Sequence, residues 1–494
     1  MFDAIVVGLG PVGATLANLL AADGLRVLAL DRDARMFDKP RAIAIDQESL
    51  RVLQAIGVAQ RMESRLGAYR PTEYHAADGS LLRAILPAPP PWPLAWPSYA
   101  SFVQPELDAE LRARLAEWPN AEVRLDAEVV ALHQHADHAA LTLRDGTSLA
   151  ARYVLACDGG ASTLRRLLGA SVEDMAFDEP WIVVDTLLER DVTLPPTNVQ
   201  YCHPDRPATF INGPGKLRRW EFAVAPGEDL AEMAREENIW RLLAPWLRPG
   251  DARLWRVAPY RFHAVVVEEW RHGRVLLAGD AAHQTPPFMG QGLNQGLRDA
   301  ANLAWKLAWV LQGRADAALL ESYTTERRPN VRQVIAITKE LGLIIGERDP
   351  VRAAERNARM QAEVAAGRGH VVRQDMLPPL AGGYLHASPG AGAPGPQPWL
   401  AGQRRLDDVL GRGFRLVLSD AMPVPAAPCL HLCVATLAEL QEADGLLAAW
   451  LQRHAAAAVL LRPDGTVFGT AADTAGLAPL LAAAEAGLGP RHEP

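Results

Sequence analysis

The start of the chain alternates between short apolar runs and one longer apolar segment. Phe2–Val7 and Leu25–Leu30 are rich in valine, isoleucine and leucine, as buried strands are, and Ala14–Ala22 has the composition of a helix. A strand, a helix and a second strand in this order are typical of a parallel βαβ unit. The pattern therefore predicts an α/β domain at the start of the chain.

Further elements of this domain are predicted from the same apolar periodicity. They are helices at 47–56 and 105–115, alternating strands over 122–149 with a hairpin turn at Asp145-Gly146, buried strands at Tyr153–Ala156 and Arg274–Ala278, and a long helix at about 294–312 ended by Gly313. The proline-rich segment 87–97 cannot be the interior of a helix, because proline lacks the backbone donor. We predict that it is a surface connection.

Two changes of pattern predict the domain organisation. Between 176 and 264, short alternating runs separated by proline and glycine indicate a mostly antiparallel sheet inserted into the first domain. The first domain then comprises 1–175 and 265–380, including its C-terminal helices. A stretch rich in proline and glycine follows, and the apolar strands beyond it predict a small α/β domain at 395–494.

Composition and charge exclude several classes of protein. The chain has 494 residues, 49% of them hydrophobic, and a net charge of −8 without a basic tract, so nucleic acid is not an expected partner. No apolar run reaches the ~18 residues of a membrane span, and the first residues enter a strand without the features of a signal peptide. The cysteines, Cys157, Cys202, Cys429 and Cys433, form neither a zinc pattern nor a C-x-x-C pair. We therefore expect a cytoplasmic protein.

The turn after the first strand carries a dinucleotide-binding fingerprint. Gly8, Gly10 and Gly13 lie between a strand and a helix, and Asp31 ends the next strand. In this arrangement the glycines permit a tight turn, close approach of a pyrophosphate and close packing of the helix, whose N-terminus supplies unpaired N–H groups. The acid would accept hydrogen bonds from a ribose. The fingerprint alone leaves NAD and FAD open.

Two later segments place acids at other strand ends, where the ligand crevice of an open α/β sheet lies. Asp158-Gly159 follows one buried strand and Gly279-Asp280 follows another, and Asp280 is suited to accept hydrogen bonds from a polyol such as ribityl. The loop 286–294 then directs successive backbone N–H groups and a helix N-terminus at one point, where negative charge of a reduced flavin would be stabilised. His283 lies between these features and is a candidate base.

On these residues and their order, the sequence resembles the FAD-dependent aromatic-ring hydroxylases over about 2–330. The segments Pro40–Asp46, Phe102–Pro105, Arg219–Phe222 and Gly290–Leu307 are most similar to those of 3-(3-hydroxyphenyl)propionate hydroxylases and aromatic polyketide hydroxylases. The resemblance implies an α/β fold of the 4-hydroxybenzoate hydroxylase type: a Rossmann-like FAD-binding domain, an inserted antiparallel substrate-binding sheet and a thioredoxin-like C-terminal domain. Cys429 and Cys433 have one intervening residue too many for a redox pair, so we expect a structural role for that domain.

The resemblance also implies the residues of the cofactor site. They are Gly8, Gly10, Pro11, Val12, Gly13, Asp31, Arg32, Arg41, Gln104, Val129, Asp158, Gly159, Gly279, Asp280, Pro287, Gly290, Gly292, Leu293 and Asn294. NADH or NADPH is expected as a co-substrate that binds transiently near Arg165 and Arg166, unless these arginines form only a solvated helix face. The position of His283 is mainly structural in the family.

The activity implied is hydroxylation of a phenolic ring with NAD(P)H and O2 through a flavin C4a-hydroperoxide. The expected substrate is similar to 3-(3-hydroxyphenyl)propionate, with a fused-ring polyketide as the alternative; a flavin reductase or a non-catalytic flavoprotein is the alternative of another class. The candidate catalytic residues are Pro287, Tyr201, Arg219 and His203, with Tyr260 as a further candidate for substrate contact. Such sheet residues are more often merely half-exposed. A monomer or a homodimer is expected.

Overall fold

A computed structural model describes residues 1–425 and 431–490 of the chain. The first part of the chain alternates strands and helices as expected. Its elements are β1 (Phe2–Val7), α1 (Pro11–Ala22), β2 (Val27–Leu30), β3 (Ala44–Asp46), α2 (Gln47–Gln54), α3 (Val58–Met62), β4 (Gly67–Ala68), β5 (Thr72–His75), β6 (Leu81–Leu86), β7 (Tyr99–Ser101), α4 (Gln104–Ala116), β8 (Ala121–Arg124), β9 (Val129–Gln134), β10 (Ala139–Leu143), β11 (Ser148–Ala156) and α5 (Thr163–Leu167).

Longer strands and helices follow in the middle of the chain. They are β12 (Val172–Leu188), β13 (Asn198–Tyr201), β14 (Ala208–Asn212), β15 (Leu217–Ala223), α6 (Leu230–Met233), α7 (Glu236–Leu243), β16 (Ala252–Val267), β17 (Arg271–His272), β18 (Val275–Leu277), β19 (His283–Gln284), α8 (Gly292–Leu311), α9 (Glu321–Gly346), α10 (Pro350–Ala365) and β20 (His370–Val372).

The last part of the chain forms a small α/β unit. It contains β21 (Trp399–Leu400), β22 (Arg404–Arg405), α11 (Leu406–Leu410), β23 (Phe414–Leu418), β24 (Leu432–Thr436), α12 (Leu437–Leu440), α13 (Leu446–Arg453), β25 (Ala458–Leu461), β26 (Val467–Ala471) and α14 (Thr474–Ala486). None of the helices within 1–425 and 431–490 is long and apolar enough to cross a membrane.

The first sheet confirms the predicted βαβ unit. Its strands have the order β17-β18-β11-β1-β2-β8, and β1 pairs in parallel with both β11 and β2. Val6 lies between Leu155 and Ala29, and all three are fully buried, as expected for a parallel strand that is covered on both faces. Because β1, β11 and β18 run in the same direction, the three segments that carry the glycine fingerprint, Asp158 and Asp280 meet at one edge of the sheet.

The second sheet has nine strands in the order β19-β16-β12-β15-β14-β13-β5-β6-β20. Its central strands are the predicted antiparallel insertion, and β5, β6 and β20 extend it from outside that segment. The long strands β12 and β16 cross the predicted boundaries at 176 and 264. Their outer ends pair with each other, and Val265 and Val266 also pair with Gln284 and His283 of β19, just after Asp280. The two sheets are therefore joined beside the cofactor edge.

The C-terminal unit packs on the first domain through aromatic and charged side chains. Its sheet has the order β24-β23-β25-β26, in which β23 is parallel to β24 and antiparallel to β25. Trp305 and Trp309 of α8 pack edge-on against Phe414 of β23. Cys433 is a free thiol on β24, whereas Cys429 lies outside the described residues.

A buried ionic cluster joins this unit to the helices of the first domain. The Glu326 carboxylate lies 2.9 Å from both Lys306 Nζ and an Arg462 nitrogen, and Arg462 also donates to Asp464. The Lys306, Glu326 and Arg462 side chains are fully buried. We call Lys306, Glu326, Arg462 and Asp464 the docking cluster.

Candidate active site

A cavity of about 280 Å³ lies between the cofactor edge of the first sheet and one face of the second. Several residues predicted to bind the cofactor line it: Gly10, Pro11, Val12, Arg41, Gln104, Gly159, Asp280, Pro287, Gly290, Gly292 and Leu293. The remaining predicted cofactor residues shape this edge from behind or lie outside the cavity.

In the glycine loop, the backbone is open to a ligand at Gly10 and closely packed at Gly8 and Gly13. Gly8 has φ +96°, and a Cβ at Gly13 would lie 1.9 Å from the Gly8 carbonyl oxygen. At Gly10, by contrast, a Cβ would meet nothing within 4 Å. Gly8 and Gly13 therefore bring α1 close to β1, while Gly10 opens the N-terminus of α1 to the cavity, as pyrophosphate binding requires.

Asp31 is held beside this loop by a residue that the sequence patterns did not single out. The Asp31 carboxylate accepts hydrogen bonds from Leu9 N at 3.1 Å and from Arg112 at 3.1 Å, and Arg112 also donates to the Leu9 carbonyl. The Arg112 Nε is buried without a partner among the described residues. Arg112 lies on α4, one face of which packs on α1, so only the tertiary fold brings it here. Arg32 is exposed beside Asp33.

In the segment after β11, the predicted cofactor residue Asp158 binds other groups of its own loop. Asp158 accepts hydrogen bonds from Ser162 Oγ at 2.5 Å and from Leu164 N at 3.0 Å, and so holds the start of α5. Arg165 donates to the carbonyls of Gly160 and Ala281 and thereby ties this loop to the one that contains Asp280. Arg165 is thus a positioning residue.

Of two other residues predicted to contact nucleotides, Arg166 lies on the surface and Val129 lies in the core. Arg166 stays on the surface of its own helix, where it donates to Ser162 O and Thr163 Oγ1. Val129 is buried at the start of β9, within the main core.

Asp280 faces the cavity, and its carboxylate accepts no hydrogen bond from the described part of the chain. Behind it, Val12 fills the space between Gly279 and Gly296, where a Cβ at Gly296 would lie 2.4 Å from Val12 Cγ2. His283 is buried, donates a hydrogen bond from Nε2 to the Asp299 carboxylate at 2.7 Å, and stacks on Trp270. It does not line the cavity, which agrees with a structural role.

The loop before α8 is fixed by side chains that bind its carbonyl groups. Asn294 Nδ2 donates to the Gly290 carbonyl at 2.8 Å, and Arg373 and Tyr99 donate to the Met289 carbonyl. Gly290 has φ +63°, and α8 begins two residues later. With the carbonyls turned away into the protein, the loop N–H groups and the start of α8 are left for a ligand with negative charge.

Taken together, these residues fit FAD. The open N-terminus of α1 suits a pyrophosphate, the free acceptors of Asp280 suit a ribityl chain, and the start of α8 suits the negative charge of a reduced flavin ring. Thr285 also lines this cavity, and its Oγ1 is buried without a partner in the described part of the chain.

The second sheet presents different chemistry on its two faces, because side chains alternate along each strand. One face is apolar and packs on α7, with Trp220, Phe222 and Phe210 among its buried residues. The opposite face carries polar side chains and forms the floor of the cavity. The residues of this floor are Asn198, Gln200, Thr209, Ile211, Arg219, Glu221, Arg256, Tyr260 and Val183.

Arg219, a predicted catalytic residue, lines the floor but is occupied by other protein groups. Its guanidinium donates to both Asp185 oxygens, at 2.7 and 3.1 Å, and to the carbonyls of Pro40 and Arg41. Arg256 also lies 3.6 Å from Asp185 and donates to Pro40 O. Arg219 therefore holds the loop that contains Arg41 against the sheet.

Gln104 fixes the same loop from its other side. Gln104 Oε1 accepts hydrogen bonds from Arg41 N and Ala42 N at 2.9 and 2.6 Å, and its amide donates to Asp108. Burial raises the pKa of Asp108 to about 6, although the Gln104 hydrogen bond opposes this. The Arg41 side chain itself is exposed at the cavity and lies over the Phe37 ring.

The structure brings Pro287 and Tyr260 to the cavity but not Tyr201 or His203. Tyr201 lies on the apolar side of the second sheet, where its hydroxyl accepts a hydrogen bond from Trp246. His203 is half-exposed beyond the end of β13 and accepts from Asp205 N. Alternation along β13 explains this, because Gln200, next to Tyr201, is the residue that faces the floor.

Glu221 and Gln200 are floor residues that the sequence analysis did not select. Glu221 is 5% exposed, and burial raises the pKa of its carboxyl, while the charge of Arg219 opposes that shift. The signal was present in the sequence: Glu221 lies two residues from Arg219, so both must share one face of a strand.

Comparison with known proteins gives this site its context. The family model described as "FAD binding domain" matches residues 1–338. A probable NADH-specific resorcinol 4-hydroxylase of Rhodococcus jostii is 34% identical over 97% of this chain and 93% of its own length. A 3-(3-hydroxyphenyl)propionate/3-hydroxycinnamic acid hydroxylase of Mycolicibacterium gilvum is 34% identical over 94% of this chain and 88% of its own length.

Solved structures agree with the fold. Aklavinone-11 hydroxylase, in complex with FAD and aklavinone, matches with a TM-score of 0.80 at 24% identity, over 99% of both chains. A p-nitrophenol 4-monooxygenase of Pseudomonas putida matches with a TM-score of 0.67 at 26% identity, over 76% of this chain and 96% of its own. The expected α/β fold, FAD cofactor and enzyme class are confirmed, and the chain belongs to the FAD-dependent aromatic-ring hydroxylases.

Proposed function

We propose that this enzyme hydroxylates a single-ring phenol whose second substituent is meta to the hydroxyl group, with NADH and O2 as co-substrates. The substrates named for two relatives, resorcinol and 3-(3-hydroxyphenyl)propionate, share this ring pattern. The sequence identity of these relatives to the chain is 34%, against 24% for aklavinone-11 hydroxylase. The observation that supports the proposal most directly is the polar floor of the second sheet, which faces the cofactor loops across one cavity.

The chemistry that bound FAD supplies is hydride acceptance from NADH and activation of O2 for transfer of one oxygen atom to an electron-rich ring. Gly10, Asp280 and the start of α8 would hold the cofactor. The protein's own part is to orient the phenol on the polar floor and to exclude water. Phe288 serves that exclusion: it packs edge-on against Trp181 and Phe262 and closes the cavity wall behind the loop.

The proposal also covers the co-substrate site, the domain division, the cellular location and the oligomeric state. NADH would bind at the protein surface near Arg166, since Arg165 is already committed to the carbonyls of two loops. The domain division expected from the sequence and a monomer or homodimer complete the proposal. The free thiols Cys157, Cys202 and Cys433 support a location in the reducing cytoplasm.

The test is turnover of a panel of phenols by the purified holoenzyme. We expect resorcinol or 3-(3-hydroxyphenyl)propionate to stimulate NADH oxidation and O2 uptake in equal amounts, with a hydroxylated product identified by mass spectrometry. If NADH is oxidised only to give hydrogen peroxide, whichever phenol is added, the enzyme is a flavin reductase and the proposal is wrong. Product from a fused-ring polyketide alone would favour the alternative substrate class.

A further inference from the structure

Glu221 is a buried carboxylate that the structure leaves without a hydrogen-bonding partner. It lines the cavity floor and is 5% exposed, yet no described residue donates a hydrogen bond to it. A buried polar group without a partner is costly and rare in folded proteins, and it therefore points to a ligand. The exposed remainder of its surface faces the cavity that contains the cofactor loops.

Neighbouring strands place complementary groups beside Glu221. Thr209 on β14 lies directly opposite Glu221, and Gln200 on β13 lies directly opposite Thr209, so the three side chains form one row on the floor. Thr209 Oγ1 donates to Gln200 Oε1 at 2.6 Å, which fixes the amide with its NH2 group directed away from Thr209. That NH2 group donates to no acceptor in the described part of the chain. The row thus offers an acceptor at Glu221 and a donor at Gln200.

Two of the other charged groups at the cavity, Arg219 and Arg256, are engaged by protein groups. Arg219 and Arg256 share Asp185, and both donate to Pro40 O. Burial raises the pKa of Glu221, Asp185 raises it further, and the two arginines oppose the shift, so the carboxylate is a stronger proton acceptor than one in water. The remaining titratable or charged groups that line the cavity are Arg41, Tyr69, Cys157, Tyr260, His263 and Asp280.

We propose that Glu221 is a catalytic residue that accepts the hydrogen bond of the substrate's phenolic hydroxyl and then takes its proton, while Gln200 donates to a second oxygen of the substrate. This inference rests on the proposed function. The phenol O–H bond breaks and a Glu221 Oε–H bond forms, while the electron pair stays on the phenol oxygen. No electron is exchanged with the protein. The resulting phenolate is richer in electrons at its ring carbons, which is what transfer of an electrophilic oxygen requires.

The variant Glu221→Gln tests the proposal, because glutamine has the same shape but cannot take the proton. We expect FAD content to be unchanged and kcat at neutral pH to fall by about a hundredfold or more, the usual effect of losing a general base. The rate should recover as the pH approaches the phenol pKa of about 10, since the substrate is then already ionised. Glu237→Gln on the exposed face of α7, where the side chain pairs with Arg241, is the matched control and should behave as the wild type.

A binding measurement distinguishes proton transfer to Glu221 from a purely structural role of this side chain. It does not depend on turnover, so it also tests the role of Glu221 independently of the proposed function. We use 3-nitrophenol, which has the meta pattern of the proposed substrate and whose ionised form absorbs at longer wavelength than the neutral form, at a pH below its solution pKa. Binding to the wild type and to Glu237→Gln should produce the nitrophenolate spectrum, and binding to Glu221→Gln should not. If the wild type produces no such spectrum, or the Glu221→Gln variant produces it equally, the proposal is wrong even if turnover has fallen. If no phenol is hydroxylated, the proposed function fails, and the nitrophenol spectra still decide the role of Glu221.

Discussion

Replacing Arg219 by methionine should destabilise the protein because it leaves Asp185 buried and partly unpaired. The two side chains are 4% and 0% exposed, and Arg219 makes two hydrogen bonds to Asp185 and two to the Pro40 and Arg41 carbonyls. Removing one partner of a buried ion pair costs ~3–5 kcal/mol. Arg256 remains 3.6 Å from Asp185, so we expect a loss near the lower end, about 3 kcal/mol.

The assay is urea unfolding followed by circular dichroism, in which the midpoint should fall while the m value stays constant. Arg218→Met is the matched control. Arg218 is adjacent on β15, but within 1–425 and 431–490 its side chain donates only to the nearby carbonyls of Gly213, Gly215 and Leu217, so its loss should cost about 1 kcal/mol.

A second variant checks the cause of the destabilisation. If the unpaired Asp185 charge is responsible, the double variant Arg219→Met/Asp185→Asn should lose less stability than the sum of the two single variants. Strict additivity would refute the reasoning. So would an Arg219→Met variant as stable as the Arg218→Met control.

Three further outcomes are expected. Asp280→Ala should weaken FAD binding by about 10- to 150-fold, since a carboxylate that accepts polyol hydrogen bonds contributes ~1.5–3 kcal/mol, as measured by flavin fluorescence titration; unchanged affinity would contradict that role. Tyr201→Phe should keep the kcat and KM of the wild type in NADH-oxidation assays, because its hydroxyl lies on the face away from the cavity; a large fall in kcat would place it in the reaction. The link between the C-terminal unit and α8 should weaken in acid, because the Asp464 carboxylate accepts hydrogen bonds from Asn302 and Trp305 of α8. The pKa of Asp464 is lowered to about 2, despite burial, by Arg462, so the stabilisation from its ionised form is present above its ordinary pKa of 3.8 and is lost as the pH falls towards 2. Because the chain has 13 tryptophans, the signal of Trp305 and Trp309 is taken as the difference in fluorescence between the wild type and the Trp305→Phe/Trp309→Phe variant. Asp464→Asn should remove the stabilisation throughout and flatten the transition.

The FAD-binding half of the fold could be predicted because its signals are local. Gly8 and Gly13 are required by close backbone contacts within one turn, and the helix after Gly290 appears within two residues of its predicted start. Spacing along the chain is enough to find such features.

The substrate floor could be predicted only in part, because it is built across strands. Tyr201 was selected for being polar on an apolar strand, but its neighbour Gln200 faces the cavity, and the face of a short strand is not evident without its partners. Arg219 was found, yet its role as a link between Asp185 and the Pro40–Arg41 loop depends on residues far apart in sequence. Arg112 reaches the fingerprint from α4 for the same reason.

The two-sided second sheet has a consequence for the diversification of this enzyme. Alternate positions of β13, β14 and β15, such as 200, 209 and 221, line the cavity, and positions between them, such as Phe210, Trp220 and Phe222, maintain the layer against α7. Residues at 200, 209 and 211 can therefore be exchanged in combination, with Glu221 retained, without disturbing the hydrophobic layer that keeps the sheet folded. Selection, in nature or in a randomised library, can alter which ring is accepted while it leaves the stability of the domain almost untouched.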